Sequence, residues 1–451
     1  MLGRSFSAVN GFERILPFRR LDTVVYLEIS PFRADRAIGC LAASPKVIEP
    51  IRGALSTGGS VERYPLDGYP MKRSEHRILT THVGSLVRPK ELRELAPPGQ
   101  EPKDLAQYNT VLAQQTLDVV RKQAEIGIDI VSDGEYGKQS WSNYILKRIS
   151  GFEIRPNQLR PVTWLGRDLE RFSEAILQEF PRFAAGTITE ACVGPIRYLD
   201  HAPIDRALAN FKAALKQVPV EEAFFTAVAP ASTAYDGVNE YYLNEHDYVY
   251  AIADALREEY RAIHDAGLLL QVDDAVLANM YDHLVQQSPE KYREWANLRV
   301  EALNHALTGI PEERVRYHVC FGSWHVPHVA DAPLEEIVDL ILKVRAGAYS
   351  IEAANVRHEH EWRIWENKKL PAGKTLIPGV ITHHTTTVEH PQLVADRIQR
   401  YAGLVGRENV IAGSDCGFAQ SEIIQRVHPT VMWAKFESLV EGARLASQKL
   451  W

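Results

Sequence analysis

His318 and Cys320 stand two residues apart in RVRYHVCFGSW, residues 314–324, at the end of a β-branched run. On a strand, residues i and i+2 share a face, so an imidazole and a thiol would lie side by side. Cys416 closes the stretch VIAGSDC, and Glu352 closes AYSIE. Taken singly, each residue has a plain structural explanation. An isolated cysteine is commonly a small buried hydrophobe, an HxC pair arises by coincidence, and an Asp at a strand end, such as Asp274 in LLLQVDD, caps the next helix. Taken together, two thiols, an imidazole and a carboxylate on three strand tips can converge on one tetrahedral metal. Thiolate with imidazole selects zinc over magnesium or calcium. A carboxylate is a weaker fourth ligand than a thiolate and can leave, which is the pattern of a catalytic rather than a closed structural site. A substrate thiol entering that position is deprotonated and becomes a nucleophile at neutral pH. The expected chemistry is alkylation of a thiol.

These tips need a scaffold that gathers strand ends. From Ile78 onward strand and helix patterns alternate. Strands are expected over 78–83, 128–133, 187–193, 222–229, 268–274, 315–321, 348–354, 375–381 and 409–415. Between many of them, at 105–127, 248–267, 333–347 and 391–406, apolar residues recur with helical spacing, and several of these segments stop at Gly. Alternation of this length argues for a parallel sheet, and eight or nine units favour an α/β fold of the closed (β/α)8 TIM-barrel type. An open doubly wound sheet calls for a glycine-rich phosphate loop after its first strand, and HVGSLVRP (82–89) is not one. In such a barrel the chemistry sits where strands finish. The remaining polar tips are His82, Gly84 and Ser85, then Asp133 and Glu135, Asp273, His383 and His384, and Asp415.

The 451 residues carry a net charge of −7 without a basic stripe, which argues against nucleic acid as a partner. No apolar run is long enough to span a bilayer. Four cysteines, Cys40, Cys192, Cys320 and Cys416, form no CxxC pair, so a reducing, cytoplasmic setting is expected. Residues 1–70 show no sustained period and read as a poorly structured N-terminal extension; 71–451 form the barrel. The first twenty residues hold four arginines and one acid, a pattern shared by targeting segments and by a start placed upstream of a true one at Met71.

The strand-tip motifs resemble the C-terminal catalytic domain of the cobalamin-independent methionine synthases, from about Ile78 to Phe418. The architecture is shared with uroporphyrinogen decarboxylase, which needs no metal. HVC, IEA and DCG look like the family's zinc motifs, which makes His318, Cys320, Glu352 and Cys416 the Zn2+ ligands by resemblance. Gly84–Ser85, Gly134–Glu135 and Gln271–Val272–Asp273 are similar to the motifs that hold the amino-acid substrate. Ser85, Glu135 and Asp273 would then bind homocysteine, the two acids at its amino group. GVITHH places His384 at the family's proton-donating histidine, with Thr382 where the family has Asp. The resemblance implies a zinc-dependent methyltransferase of methionine biosynthesis, moving a methyl group from a methyl-tetrahydrofolate-type donor to homocysteine.

The sequence also departs from the full-length synthases. Seventy N-terminal residues cannot form their second barrel, VAPASTAYDG (228–237) matches the folate-contacting segment only loosely, and HVGSLVRP, IVSDGE and VEHP look more like short single-barrel members. Alkyl transfer to another thiol, as in the epoxyalkane:coenzyme M transferases, is the alternative, with Lys138 and Arg88 placed to meet a sulfonate. A non-catalytic metal-binding barrel is the third reading. HEHEW (358–362) is expected to be a solvated helix start rather than a second metal motif, and Trp141, Trp324 and Trp362 are candidate walls for a pterin.

Overall fold

The computed structural model describes residues 70–97, 100–235, 237–421 and 424–451. The extension expected over 1–70 lies, through residue 69, outside the described residues, and Cys40 with it.

Eleven strands are β1 (Leu79–Thr80), β2 (Ile130–Val131), β3 (Phe152–Arg160), β4 (Thr187–Cys192), β5 (Glu222–Val228), β6 (Val238–Asn239), β7 (Leu269–Asp274), β8 (Val315–Val319), β9 (Ala348–Ile351), β10 (Thr375–Ile381) and β11 (Ile411–Ser414). Eight of them form one parallel sheet in the order β1-β11-β10-β9-β8-β7-β5-β2. This is the expected (β/α)8 barrel. The stretch 187–193 is a correction: β4 does not enter the barrel but pairs antiparallel with β3 and parallel with β6 in a separate three-stranded sheet. The physical reason is visible in the residues. TITEAC is half polar and leaves Ile188 exposed, whereas β5, EAFFTAV, is buried along its whole length as a barrel strand covered on both faces must be. Ile154, Leu159 and Ile188 of the side sheet remain exposed.

Helices cover the outer face. Those at Leu105–Ile126, Glu245–Asp265, Leu334–Lys343 and Pro391–Val405 match the expected segments within a few residues. The first begins where Asp104 accepts the Gln107 N–H and ends at Gly127, whose φ of 100° only glycine adopts without strain. No helix among the described residues is long and apolar enough to cross a membrane.

The ring closes with a weak point. β1 and β2 are two residues long and share no ladder. Two isolated backbone bonds cross the gap, Asp129 N–H to Thr80 C=O at 3.2 Å and, beyond the strand ends, Leu86 N–H to Gly134 C=O at 3.1 Å. Side chains do the rest: the Asp129 carboxylate takes the Thr80 N–H at 2.8 Å and its hydroxyl at 3.0 Å, and the Thr81 hydroxyl donates to Ile130 C=O at 3.0 Å.

The bore is filled from the bottom upward. Leu79, Ile130, Phe224, Leu269, Ala348, Ile377 and Ile411 form an apolar layer at the strand starts, joined by Met71. Above it lies Arg316, fully buried over the Phe224 ring at 3.9 Å, donating to the Thr81 hydroxyl and the His82 carbonyl at 3.0 Å each. Arg316, His318 and Cys320 alternate with Val315, Tyr317 and Val319, which pack into the core cluster beneath the helices. The side-by-side arrangement of His318 and Cys320 therefore follows from strand period alone.

Candidate active site

Three of the four expected ligands meet. Ligand atoms of His318, Cys320 and Cys416 all lie within 4.8 Å of one another, and the three residues are buried. The two sulfurs are 3.4 Å apart. Cys416 Sγ also accepts from the Ser323 hydroxyl at 3.0 Å, and Cys320 Sγ accepts the Gly322 N–H at 3.2 Å. The Cys320 thiol holds the Cys416 pKa well below its usual range, and Cys416 in turn, with burial, pushes that of Cys320 well up. His318 Nδ1 lies 3.3 Å from the Ser350 hydroxyl, leaving Nε2 buried without a hydrogen-bond partner. A buried orphan nitrogen beside two sulfurs, with its other nitrogen oriented by a hydroxyl, fits a zinc ion.

Glu352 is not part of that cluster. Its Oε1 accepts the Phe321 N–H at 3.1 Å and its Oε2 accepts Asn355 at 2.8 Å. Burial, with Asp415 and the Cys416 thiolate nearby, raises its pKa well above the carboxylate range. Asp415 in turn accepts the Ala353 and Ala354 N–H groups at 2.7 and 2.8 Å, pinning the loop that carries Glu352. Gly379 makes room for it: a Cβ there would stand 2.2 Å from Asp415 Oδ1.

The cluster opens into a cavity of about 490 Å³ that also holds Ser85, Glu135 and Asp273. Glu135 follows β2 in a left-handed conformation, φ 60°, unusual for a residue with a side chain. Its Oε1 accepts the Thr226 hydroxyl at 2.5 Å and lies 3.5 Å from Lys138 Nζ, while Oε2 is buried without a partner. Burial works against its charge, but Lys138, Thr226, Arg88 and Ser85 outweigh it and lower the pKa. Asp273 accepts Gln271 Nε2 at 2.8 Å; burial, opposed by His318 and reinforced by Glu135, pushes its pKa up to about 7. The Ser85 hydroxyl donates to Ala419 C=O. The other wall is aromatic and cationic, with Trp141, Trp164, Trp324, Arg182 and Arg426.

Other expected residues are placed elsewhere. His384 lines a second cavity of about 660 Å³, with Nε2 3.9 Å from Glu352 Oε2, and burial beside His328 and His325 depresses its pKa well below the imidazole range. Lys138 and Arg88, considered for a sulfonate, are committed to protein acceptors: Lys138 to Thr226, Arg88 to the carbonyls of Glu135, Lys138 and Ala419. The expectation of a solvated HEHEW is overturned at His358, which is buried between Asp331 and Glu361 at 3.0 and 2.8 Å because those acids need a donor there; His360 is exposed. Trp362 stacks against Arg363 and Arg400, away from the cavity. Asp274 behaves as a cap, accepting the Val276 and Leu277 N–H groups.

Residues 228–435 match the family described as Cobalamin-independent synthase, Catalytic domain. A methionine synthase from Thermococcus kodakarensis is 22% identical over 378 residues, covering 82% of this chain and 94% of that protein. Over that segment the chain is similar to the catalytic domain of the cobalamin-independent methionine synthases. Another relative at similar distance, the 2-hydroxypropyl-CoM lyase of Xanthobacter autotrophicus, is 24% identical over 380 residues, covering 78% of this chain and 89% of that protein. The B12-independent methionine synthase from a Shewanella species, solved with selenomethionine, shares the fold at a TM-score of 0.63 and 20% identity, covering 83% of this chain and 99% of that one.

Within this barrel, several cavity residues carry no sequence signal of their own. Ser323 is found only because its loop folds back over Cys416. Trp164 and Arg182 lie on the excursion between β3 and β4, and Arg426 on the loop after β11; nothing in their local spacing marks them.

Proposed function

We propose that this barrel is a zinc-dependent S-methyltransferase that passes a methyl group from a methyl-tetrahydrofolate-type donor to homocysteine, forming methionine. The observation that carries the reading is one cavity holding a dithiol–imidazole cluster and, beside it, two buried acids of which Glu135 has an unpaired oxygen. His318, Cys320 and Cys416 would hold zinc, with Glu352 as the exchangeable fourth donor. Zinc bound there supplies Lewis acidity that keeps a substrate thiol ionised at neutral pH. Glu135 and Asp273 receive the substrate ammonium, and its charge compensates the like-charge pair that raises Asp273. Ser85 closes the amino-acid end. Burial in the apolar rim excludes water from the nucleophile. His384, with Nε2 3.9 Å from Glu352 Oε2, is the proposed source of the proton needed by the departing amine, a role that requires substrate binding to raise its depressed pKa.

Alkyl transfer to another thiol is the second reading, favoured by the similarity to the 2-hydroxypropyl-CoM lyase. Zinc content measured together with methionine formation separates them, using a methyl-tetrahydrofolate with one glutamate and then with three. One zinc per chain and methionine from either donor is the expected result. One zinc per chain without methionine from either would discard the folate-dependent reading and keep the thiol centre, turning the search to epoxides.

A further inference from the structure

Arg426 is 8% exposed and faces the cavity. Its backbone N–H donates to Phe418 C=O at 3.0 Å and its Nε to Gln420 at 2.8 Å. Among the described residues, neither terminal guanidinium nitrogen has a hydrogen-bond partner, and no carboxylate lies within ion-pair distance. Other buried cations of the barrel are treated differently. Lys138, Arg316 and Arg397 all spend their terminal nitrogens on protein acceptors. Burial lowers the Arg426 pKa to about 10, which still leaves it charged at neutrality. A buried charge without a partner is costly, and the fork of two free nitrogens has the shape of a carboxylate.

The surroundings fix where such an anion belongs. Arg426 lies over the Trp324 ring at 5.1 Å, and Arg182, more exposed, lies over the same ring at 5.2 Å. Trp164 stacks on Trp324 at 5.4 Å and 28°. The cavity lining holds Glu135 and Asp273 together with Arg182 and Arg426, with the thiol cluster in the same wall. The cavity therefore has acids for the acceptor amine and a cationic, aromatic face for the other substrate.

We propose that Arg426, assisted by Arg182, is an anion subsite that selects a second substrate carrying a carboxylate next to a flat aromatic group. Assigning that substrate as the alkyl donor rests on the methyltransferase reading; the anion subsite itself does not. The test is calorimetric binding to the zinc-loaded, homocysteine-saturated protein, using p-aminobenzoylglutamate, 4-aminobenzoate and the neutral 4-aminobenzamide. Wild type is expected to prefer the carboxylates by about tenfold or more, in keeping with a charge-assisted bidentate pair. Arg426→Gln should erase the preference, Arg426→Lys should restore part of it, and homocysteine affinity and zinc content should stay unchanged in both. Equal binding of amide and carboxylates in wild type, or a preference that survives Arg426→Gln, overturns the subsite. Carboxylates that compete with homocysteine would place the anion on the acceptor and overturn the donor-side assignment. A carboxylate preference with no methyl transfer from any folate would keep the subsite and reject the folate reading.

Discussion

The two mouths of the barrel treat buried charge in opposite ways. At the strand starts, the buried carboxylates have donors beside them: Arg77 grips both oxygens of Asp129 at 2.7 and 2.8 Å, and Glu222 takes the Lys72 N–H at 3.0 Å with Arg314 3.6 Å away. The apolar layer around Phe224 seals that end. At the strand ends, Glu135 Oε2, Gln271 Oε1, His318 Nε2 and both nitrogens of His383 are buried without partners. Native interiors rarely leave polar atoms unpaired; other exceptions among the described residues are scattered, Arg316 Nε and Tyr248 Oη among them, but these five share one mouth. Unmatched atoms at one mouth mark the groups reserved for ligands, while matched ones at the other hold the ring together.

This contrast can be broken most sharply at the upper mouth. Cys416→Ser should abolish zinc binding and methyl transfer together, measured by metal analysis and turnover, because one ligand and its thiolate charge disappear. Thiol alkylation at the normal rate in that variant would end the zinc reading. At the lower mouth, Phe224→Ala should cost about 3–5 kcal/mol of stability in denaturant unfolding while zinc stoichiometry in the folded fraction stays at the wild-type value. Glu135→Gln should raise the homocysteine KM by about 10–100-fold, the loss of one charge-assisted contact, with little change in melting temperature; a fall in kcat alone would place Glu135 outside the binding end. The smallest effect is a pH slope. Burial pushes Glu222 up to about 7, so its folded form holds a proton that the unfolded chain has released. The stability it contributes is fully present below its unfolded pKa, near 4.5, and is lost as pH rises towards 7. Glu222→Gln should therefore flatten the decline of melting temperature over that window, and an unchanged slope would show that Glu222 titrates normally.

Much of this was legible in the chain. Strand period alone put His318 beside Cys320, and the polar ends of apolar strands marked the rim that carries Ser85, Glu135, Asp273 and Cys416. The misplaced strand at 187–193 shows the limit: its β-branched residues say strand, but only the tertiary pairing with Phe152–Arg160 says which sheet. His358 was hidden because its acids, Asp331 and Glu361, come from either side of it in sequence and meet only in the fold. Glu352 shows a subtler gap. Its position at the tip of β9 follows from sequence, but whether its oxygens turn to the sulfurs or to Phe321 and Asn355 depends on a loop pinned by Asp415.

The gap between β1 and β2 has a consequence for motion. A seam closed by two backbone bonds and a few side chains opens at lower free energy than the laddered seams. Ser85 lies just beyond β1 and Glu135 just beyond β2, next to the Leu86 N–H to Gly134 C=O bond and the Arg88 contact with Glu135 C=O, so such breathing would loosen the two residues that embrace the amino-acid end together, while β8 and β11, with their sulfurs, stay in register. Amide hydrogens at 79–85 and 128–135 should exchange with solvent well before those of 315–320, and homocysteine should slow that exchange by acting as the missing rung.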